Sequence, residues 1–377
     1  MEQIMELIVA VIIGLLIFLA QTILYRNHWD RELEVEVLFD DKYVRAGEKS
    51  SLTECVANRK ALPLPVFHIK FSCSKSFVFD NMDNSYVTDS NHRNEVYSVL
   101  GHQRVTRRLF FTAQKRGYYE LSFVHLLTRD FFLTHKFAKK IENDSHLLVL
   151  PKRRTEKQVQ IAFQSMYGEF LNRSSLLEDP YLFRGIRDYV PTDHERYINW
   201  KATARTGDLK VNVYDPASDR KVRILLNLET NTMIHYEKLR EIAIELCGTM
   251  FEWFVRKKVP VSFASNGVDV VSGECAGLAS GCSGNHVLAM DQCLARISEN
   301  AGLLKFQQIV SEEIARADKT IEYIVISPYY KEDLMKMLDQ LQRSTGAVSM
   351  LCPYFDIQRY ERVRPYIHDV EIKLEKA

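Results

Sequence analysis

The 377-residue sequence has little proline or glycine, few cysteines and almost no net charge. Its 10 prolines and 15 glycines are too few for a collagen-like or low-complexity chain, and a hydrophobic content of 46% excludes a wholly disordered one. The 50 basic and 49 acidic side chains nearly cancel, which argues against a dedicated nucleic-acid binder. At roughly 150 residues per domain, this length predicts two to three domains.

The seven cysteines are scattered, and none forms a C-x-x-C pair. Such a set does not make a disulfide framework, so we expect the folded part to lie in a reducing compartment. Cys275, Cys282 and His286 have a spacing that is unusual for zinc and lacks an evident fourth ligand. We interpret this stretch as a flexible loop. His68 and His125 lie in strand-like runs without a second ligand, and we expect them to serve packing.

Common catalytic and nucleotide-binding motifs are missing from the sequence. It contains no G-x-S-x-G motif, and no serine or cysteine has an identifiable histidine base. It contains neither G-x-x-x-x-G-K-[ST] nor G-x-G-x-x-G, which argues against nucleotide binding. We therefore expect no cofactor and no enzymatic activity.

A charge-free apolar run lies near the N-terminus, from Leu7 to Tyr25. At 1.5 Å per residue it covers about 28 Å, close to the hydrocarbon thickness of a bilayer. A cleaved signal peptide is the alternative, but the preceding MEQIME carries two glutamates and no cation. Arg26 and Arg31 follow the run, which predicts a single-pass anchor with the rest of the chain in the cytoplasm.

Residues 30–154 carry the period-two pattern of half-buried strands. LEVEVLF at 33–39 alternates apolar and charged residues, and similar runs recur between turn signals. About seven short strands of this kind predict an immunoglobulin-like β-sandwich. Pro63 and Pro65 predict an edge strand or a loop where they occur.

A dense mixture of charged and aromatic residues follows, FRGIRDYVPTDHERYINWKATARTGDLKVNVYD at 183–215. Arg187 and Arg205 are expected to make two-toothed contacts with carboxylates such as those of Asp188 and Asp193. Three interpretations stay open for this segment. They are, in order of preference, a structural polar cluster, a binding or regulatory surface, and a catalytic site.

The same segment has the pattern of a short capped helix. Thr192 and Asp193 are expected to cap a helix that runs through ERYINWKATAR. The apolar and aromatic residues of the segment are expected to be buried, and to draw their polar neighbours in with them; these are Tyr189, Tyr197, Ile198 and Trp200.

This segment resembles the signature of the bacterial domain-of-unknown-function 58 family, roughly R-[DE]-Y-x-P-G-D-[DE]-x-R-x-I-x-W-[KR]-x-[ST]-A-R-x-G-x-L-x-V. The matching positions are Arg187, Tyr189, Pro191, Asp193, Arg196, Ile198, Trp200, Lys201, Ala204, Arg205, Gly207, Leu209 and Val211. Thr192 replaces the family glycine, and His194 replaces the acidic residue that follows it. The resemblance extends upstream to KRGYYELSFVHLLTRDFFLTHKF and to the membrane segment. It implies a non-enzymatic interaction module that works with a MoxR-type AAA ATPase.

Residues 221–377 alternate apolar strand-like runs with amphipathic helical ones. VRILLNL at 222–228 has the near-continuous apolar composition of a buried parallel strand, and a helix is predicted over 237–257. Further strands and helices follow in alternation, with AVSMLCPYF as the last strand. This order predicts a doubly wound α/β sheet with helices on both faces, and it resembles a von Willebrand factor A domain.

The metal site of that family is degenerate in this chain. A von Willebrand A domain binds Mg²⁺ through D-x-S-x-S after the first strand, because hard cations prefer oxygen ligands. The corresponding positions here are Asn227, Glu229 and Asn231, and the family's later threonine and aspartate fall on 283–286 and Ser327. We therefore predict no bound metal, and a sheet edge that serves protein contact.

The sequence as a whole predicts an anchor at 1–29, a sandwich at 30–154, a signature segment at 155–220 and an α/β domain at 221–377. The predicted function is that of a membrane-anchored adaptor for envelope or membrane clients, which the sequence does not identify. The alternatives are a metal-dependent, von Willebrand A-type ligand-binding domain and a cryptic hydrolase.

Overall fold

The computed structural model describes residues 2–81, 85–175, 178–191, 193, 195–216, 220–229, 236–298, 304–355 and 364–372. The chain divides into two compact units, Met1–Lys152 and Arg153–Ala377. An apolar helix begins the first unit, and several sheets make up most of the body that follows.

In its described residues, the first unit contains one long helix and ten strands. These elements are α1 (Glu2–His28), β1 (Leu33–Phe39), β2 (Tyr43–Arg45), β3 (Lys49–Asn58), β4 (Leu64–Ser74), β5 (Phe77–Phe79), β6 (Ser85–Val87), β7 (Ser90–Val99), β8 (Gln103–Ala113), β9 (Gly117–Arg129) and β10 (Lys136–Leu150). The part of α1 from Gln3 to His28 is long and apolar enough to cross a membrane or to act as a signal sequence.

The strands of the first unit form two sheets around a common core. One sheet has the order β1-β3-β8-β5, and the other has the order β2-β10-β9-β4-β7-β6. Their neighbouring strands are antiparallel, except that β2 runs parallel to β10. Side chains from both sheets, such as Leu52 of β3 and Phe67 of β4, meet in one buried hydrophobic cluster. Their alternation along each strand agrees with the period-two pattern of the sequence.

Pro65 is in a central strand, contrary to the prediction of an edge strand or loop. It lies within β4, which has β9 on one side and β7 on the other. The pairing with β7 is irregular between Leu64 and Phe67, and the pairing with β9 starts only at Phe67. Proline is tolerated there because its missing N–H falls in an irregularity, where no ladder bond is lost.

A buried polar cluster joins the two sheets of the first unit. Arg93 donates to Glu95 at 2.5 Å within β7, and Arg107 of β8 donates to the other oxygen of Glu95 at 2.8 Å. Tyr97 of β7 donates a short hydrogen bond to Glu54 of β3. Burial raises the pKa of Glu54 to about 7, from 4.5. Strand β7 was not predicted from the sequence, because three of its five inward side chains, those of Asn91, Arg93 and Glu95, are polar and hide the usual alternation.

The second unit mixes helices with strands. Its elements are α2 (Lys157–Ser175), β11 (Glu178–Asp188), a 3₁₀ turn (Glu195–Tyr197), α3 (Trp200–Thr206), β12 (Lys210–Pro216), β13 (Lys221–Leu226), α4 (Tyr236–Arg256), β14 (Val261–Val268), β15 (Cys275–Gly281), α5 (Gly284–Ala295), α6 (Phe306–Arg316), β16 (Ile321–Ile326), α7 (Glu332–Thr345), β17 (Val348–Phe355) and β18 (Ile367–Ile372).

The main sheet of the second unit has the order β15-β14-β13-β16-β17-β18. All of its neighbouring strands are parallel except β14 and β15. Ile224 and Leu226 pack into one hydrophobic cluster with α4 and α5, whereas Leu225 packs into another with α6 and α7. Helices therefore cover both faces, because successive side chains of a buried strand point to opposite sides.

Two details of this unit correct the sequence analysis. The stretch taken for a flexible loop contains the edge strand β15, in which Leu278 pairs with Phe263 of β14. At the end of this strand Gly281 leaves room for the His286 ring, since a Cβ there would lie only 2.8 Å from it. The strand predicted to be the last is followed by β18, whose Ile367 pairs with Met350.

We expect the unfolding free energy of the first unit to depend on pH through Glu54. The folded carboxyl holds its proton to about pH 7, whereas the unfolded one releases it near 4.5. As pH rises between these values, the unfolded carboxyl loses its proton before the folded one, so the free energy of unfolding falls. Wild type should therefore lose up to about 3 kcal/mol of unfolding free energy relative to Glu54→Gln. Hydrogen exchange of β3 and β7 amides as a function of pH measures this difference.

Glu120→Gln, on the exposed side of β9, is the matched control for removal of one carboxylate. It should follow the wild-type pH dependence. A Glu54→Gln variant that also follows wild type throughout this range would contradict the assignment of a protonated, buried Glu54.

Candidate functional site

Within the signature segment, β11 and β12 pair as an antiparallel hairpin, and we call residues 183–216, which include α3, the signature hairpin. Arg187 pairs with Val211 and Asp188 with Lys210 in the register of the two strands. The ammonium group of Lys210 also forms an ion pair with the Asp188 carboxylate. Cross-strand pairs of this kind stabilise a two-stranded ribbon that has no further strand beside it in the described residues.

Arg187 and Asp193 form a bidentate ion pair across the turn that follows β11. Both guanidinium nitrogens lie 2.6 Å from a carboxylate oxygen of Asp193, and the Val190 N–H donates to the same carboxylate at 3.0 Å. The hydrogen bond from Arg187 lowers the pKa of Asp193 below its usual value. This bidentate ion pair, which we call the Arg187–Asp193 fork, therefore closes the turn that contains Pro191.

Asn199, which the sequence analysis overlooked, caps the short helix of the segment. Its Oδ1 accepts from the Ala202 N–H at 2.9 Å, and its Nδ2 donates to Asn212 of β12 at 2.7 Å. The predicted cap by Asp193 is wrong, because that carboxylate is engaged by Arg187, and Thr192 lies outside the described residues. The signal for the true cap was an asparagine directly before WKATAR.

The prediction that Trp200 is buried is also wrong. Its side chain is 68% exposed at the first position of α3. The remaining predicted residues lie around the same turn and helix: Tyr189 and Tyr197 are half-buried, whereas Pro191, Arg196, Lys201 and Arg205 are exposed. Arg196 lies 4.5 Å from the centre of the Tyr197 ring. The hairpin thus presents an aromatic side chain and several cations to solvent.

Exposed apolar side chains accompany Trp200 on the signature hairpin. They are Phe183, Ile186, Val190 and Leu209. Among the side chains of the hairpin that the structure describes, only that of Val211 is buried. A segment with this many exposed apolar groups on a defined backbone is typical of a contact surface.

The carboxyl edge of the parallel sheet is closed by neutral hydrogen bonds. The Asn227 amide donates to Ser327 Oγ at 3.1 Å and accepts from Asn266 at 3.0 Å and from the Glu229 N–H at 3.0 Å. Asn266 in turn accepts from the Leu228 N–H at 2.9 Å. Both lone pairs of the Asn227 oxygen are therefore used within the protein.

The other predicted residues of this edge do not converge on a cation site. Glu229 accepts from the Phe306 N–H at 3.2 Å, and Asn231 lies outside the described residues. Among the residues that the structure describes, no three His, Cys, Asp or Glu side chains are grouped as a metal site requires. His286, set beside the zinc hypothesis above, lies 2.9 Å from the Val261 carbonyl through Nε2 and packs against Phe251.

A cleft of about 860 Å³ lies on the outer face of the six-stranded sheet of the first unit. Lys70, His92, His125 and Lys140 are among the side chains that line it. His68, on the same strand as Lys70, bonds the Asn94 side chain at 3.0 Å. Of the side chains that line the cleft, only His125 was considered from the sequence, where it was expected to serve packing.

No family model and no curated protein matches this chain. A solved alkylpurine DNA glycosylase from Pseudomonas fluorescens is 11% identical, over 30% of each chain, with a TM-score of 0.18. A non-cellulosomal cohesin from Archaeoglobus fulgidus is 7% identical, over 34% of this chain and 96% of its own, with a TM-score of 0.21. A sporulation control protein from Bacillus subtilis is 9% identical, over 42% of this chain and 58% of its own, with a TM-score of 0.17.

The chain spans less than two thirds of the length of the glycosylase and of the sporulation protein. With TM-scores near 0.2, these likenesses carry no argument about fold or function. The resemblance to the domain-of-unknown-function 58 family stays a prediction.

We expect Asn227→Ala to destabilise the second unit by about 1–3 kcal/mol, because it leaves buried donors of Asn266 and of the Glu229 backbone without their acceptor. Thermal unfolding of the purified chain measures the loss. Gln308→Ala, which removes an exposed amide on α6, is the matched control and should change stability by no more than about 0.5 kcal/mol. Equal effects of the two variants would contradict a stabilising role for the edge.

Proposed function

We propose that this chain is a membrane-anchored, non-enzymatic interaction protein that presents the signature hairpin to a protein partner. The observation that carries the proposal is the exposure of Trp200 beside the cations of α3. When a partner covers a large aromatic side chain that was exposed on an ordered element, the burial of its apolar surface contributes substantially to a favourable binding free energy. Trp and Arg are the residue types most enriched where binding energy is concentrated.

The rigidity of the hairpin supports the same proposal. The Arg187–Asp193 fork closes the turn, the Asn199 side chain caps α3 and ties it to β12, and Gly207 ends α3 with a positive φ of 82°. Such bonds hold Trp200 in place before a partner arrives. Less conformational entropy is then lost on binding, which strengthens the complex. Arg187 and Asp193 act here as positioning residues.

The partner is proposed to be a MoxR-type AAA ATPase, and the clients to be envelope or membrane proteins. This part of the proposal is supported by the resemblance of the signature segment to the domain-of-unknown-function 58 family. The exposed aromatic and arginine side chains agree with a protein partner, since both residue types are enriched in such interfaces. No step of the proposal requires a metal or a cofactor.

The proposal extends to the fold families of the two units and to the cellular location of the chain. The two packed sheets of the first unit are proposed to be immunoglobulin-like, and the α/β unit to be a degenerate von Willebrand A domain with Asn227 at its altered metal position. The anchor is proposed to be α1, with the bulk of the chain in the cytoplasm. Arg26 and Arg31 after the helix support that orientation.

Affinity capture from gently solubilised membranes, with identification by mass spectrometry, tests the function. Wild type should capture an AAA ATPase, and Trp200→Ala should reduce its recovery about tenfold, as expected for the loss of a central aromatic contact. Because Trp200 is exposed, the melting temperature should stay close to that of wild type. Phe110→Ala, at an exposed aromatic residue of the first unit, is the matched control and should capture normally.

The role of the fork is tested by Arg187→Ala and Arg187→Lys in the same assay. Lysine keeps the charge but loses the two-toothed geometry, so its recovery should lie between those of wild type and alanine. A well-folded Trp200→Ala variant that captures the ATPase as wild type does would contradict the proposed surface. Wild type that captures no ATPase at all would contradict the proposed partner.

A further inference from the structure

One face of α1 packs against the strands and loops of the first unit over the last three turns of the helix. Tyr25 is 2% exposed and donates to the Pro63 carbonyl at 2.7 Å, and Trp29 stacks on Phe137. One and two turns earlier, Gln21 donates to Asp130 at 3.1 Å, and Phe18 stacks on Phe132 with 6.1 Å between ring centres. Residues with this spacing share one face of a helix.

The β9–β10 connection on that face ends in an apolar tip, Phe131–Leu133, which we call the apolar loop. All three side chains are exposed. The carboxylate of Asp130 behind them is fully buried, and it accepts from the Thr134 N–H at 2.6 Å and the His135 N–H at 3.2 Å. Burial alone would raise the pKa of Asp130, but its hydrogen bonds outweigh burial and hold the pKa well below its usual range.

Asp130 therefore fixes the shape of the loop and the direction in which the tip points. Leu133 has a positive φ of 60°, which is uncommon for a leucine, and its N–H donates to the Asp130 carbonyl at 3.0 Å. The loop keeps an apolar residue in a conformation that glycine or asparagine adopts more easily. The exposed tip is thus a built feature of the fold and not a frayed turn.

The contact with α1 sets the depth of the apolar loop relative to a membrane. Phe18 precedes Tyr25, the last residue of the charge-free run, by seven positions, which is about 10 Å along a helix axis. The whole run is needed to cross a hydrocarbon layer of about 30 Å. If α1 spans the bilayer, Phe18 lies inside the hydrocarbon edge, and the ring of Phe132 beside it lies at a similar depth.

We propose that the apolar loop inserts into the bilayer beside α1, with lipid acyl chains and headgroups as its partner. The inference rests on the membrane-anchor part of the proposed function and is independent of the partner of the signature hairpin. Lipid is favoured as the occupant because the loop continues the exposed apolar surface of α1, including Ile17 and Ile23. An insertion depth of about 5–10 Å is usual for apolar groups held at an interface.

The polar groups around the loop agree with this position. Gln21 is the one amide within the charge-free run, and its Nε2 donates to the buried Asp130 carboxylate, so this donor does not face lipid unpaired. Arg129 and Lys136 are cross-strand partners at the base of the loop, and Lys136 is exposed. Cations at that level lie where they can contact anionic headgroups.

Depth-dependent fluorescence quenching tests the insertion in the full-length chain. Phe132→Trp is compared with Phe110→Trp in vesicles of phosphatidylcholine and phosphatidylglycerol that contain acyl-brominated phosphatidylcholine. Phe132 and Phe110 are 50% and 51% exposed, so the pair is matched for residue type and exposure. Gln103 of β8 is paired with Asn58 of β3, and Asn58 is paired with Leu33, which follows shortly after α1. Phe110 lies seven residues further along β8 from Gln103. It is therefore remote from the proposed membrane surface.

After subtraction of the wild-type signal from Trp29, Trp200 and Trp253, the indole at position 132 should lose at least about twice as much fluorescence as the one at position 110. Equal quenching of the two would overturn the insertion. Flotation of the vesicles after a carbonate wash identifies which claim has failed. A chain that is washed off contradicts the anchor and the insertion together, whereas a retained chain with equal quenching contradicts only the insertion.

A second measurement needs no substitution. A photoactivated carbene reagent dissolved in the bilayer should label the Phe131–Leu133 peptide of the wild-type chain together with α1. Labelling of α1 without this peptide would also overturn the proposal. Loss of ATPase capture by Trp200→Ala has no bearing on either result.

Discussion

A polar group taken out of water must find a partner within the protein, and this constraint decides the architecture at two places. In the first unit the ion pair of Arg107 with Glu95, and the Tyr97–Glu54 hydrogen bond, join the two sheets. At the base of α1 the Asp130 carboxylate gathers donors from the helix and from its own loop. Such networks are costly if one member is lost, so they specify a single arrangement of the elements that contribute to them.

The sequence predicted best those elements whose burial follows a simple period. Helix α4 was predicted within one residue of each end, because Leu239, Ala243, Leu246 and Met250 repeat at helical spacing on a buried face. Strand β7 was missed because its buried positions hold Asn91, Arg93 and Glu95, which no hydrophobic pattern reveals. Edge strand β15 was taken for a loop because its small residues give no hydrophobic pattern, although it pairs with the preceding strand β14.

The ion pair of the candidate site could be predicted from the sequence, whereas the exposure of its tryptophan could not. Arg187 and Asp193 are six positions apart with a proline between them, so a fork across a turn follows from residue chemistry alone. The exposure of Trp200 does not follow, because an aromatic residue in a charged segment fits a buried anchor and a solvent-facing contact equally well. The Asn199 cap could have been predicted from the sequence, but Asp193 was chosen as the capping residue instead.

The neutral closure of the sheet edge around Asn227 has a consequence for how the chain is handled. Hydrogen bonds among Asn227, Asn266 and Ser327 involve no net charge, so salt screens them far less than it screens ion pairs between exposed groups. They also contain no carboxylate whose protonation would open them. The geometry of this edge should therefore be the same in chelating buffers and at high ionic strength. A complex built on it can be washed under conditions that strip a cation-dependent adhesion domain from its ligand.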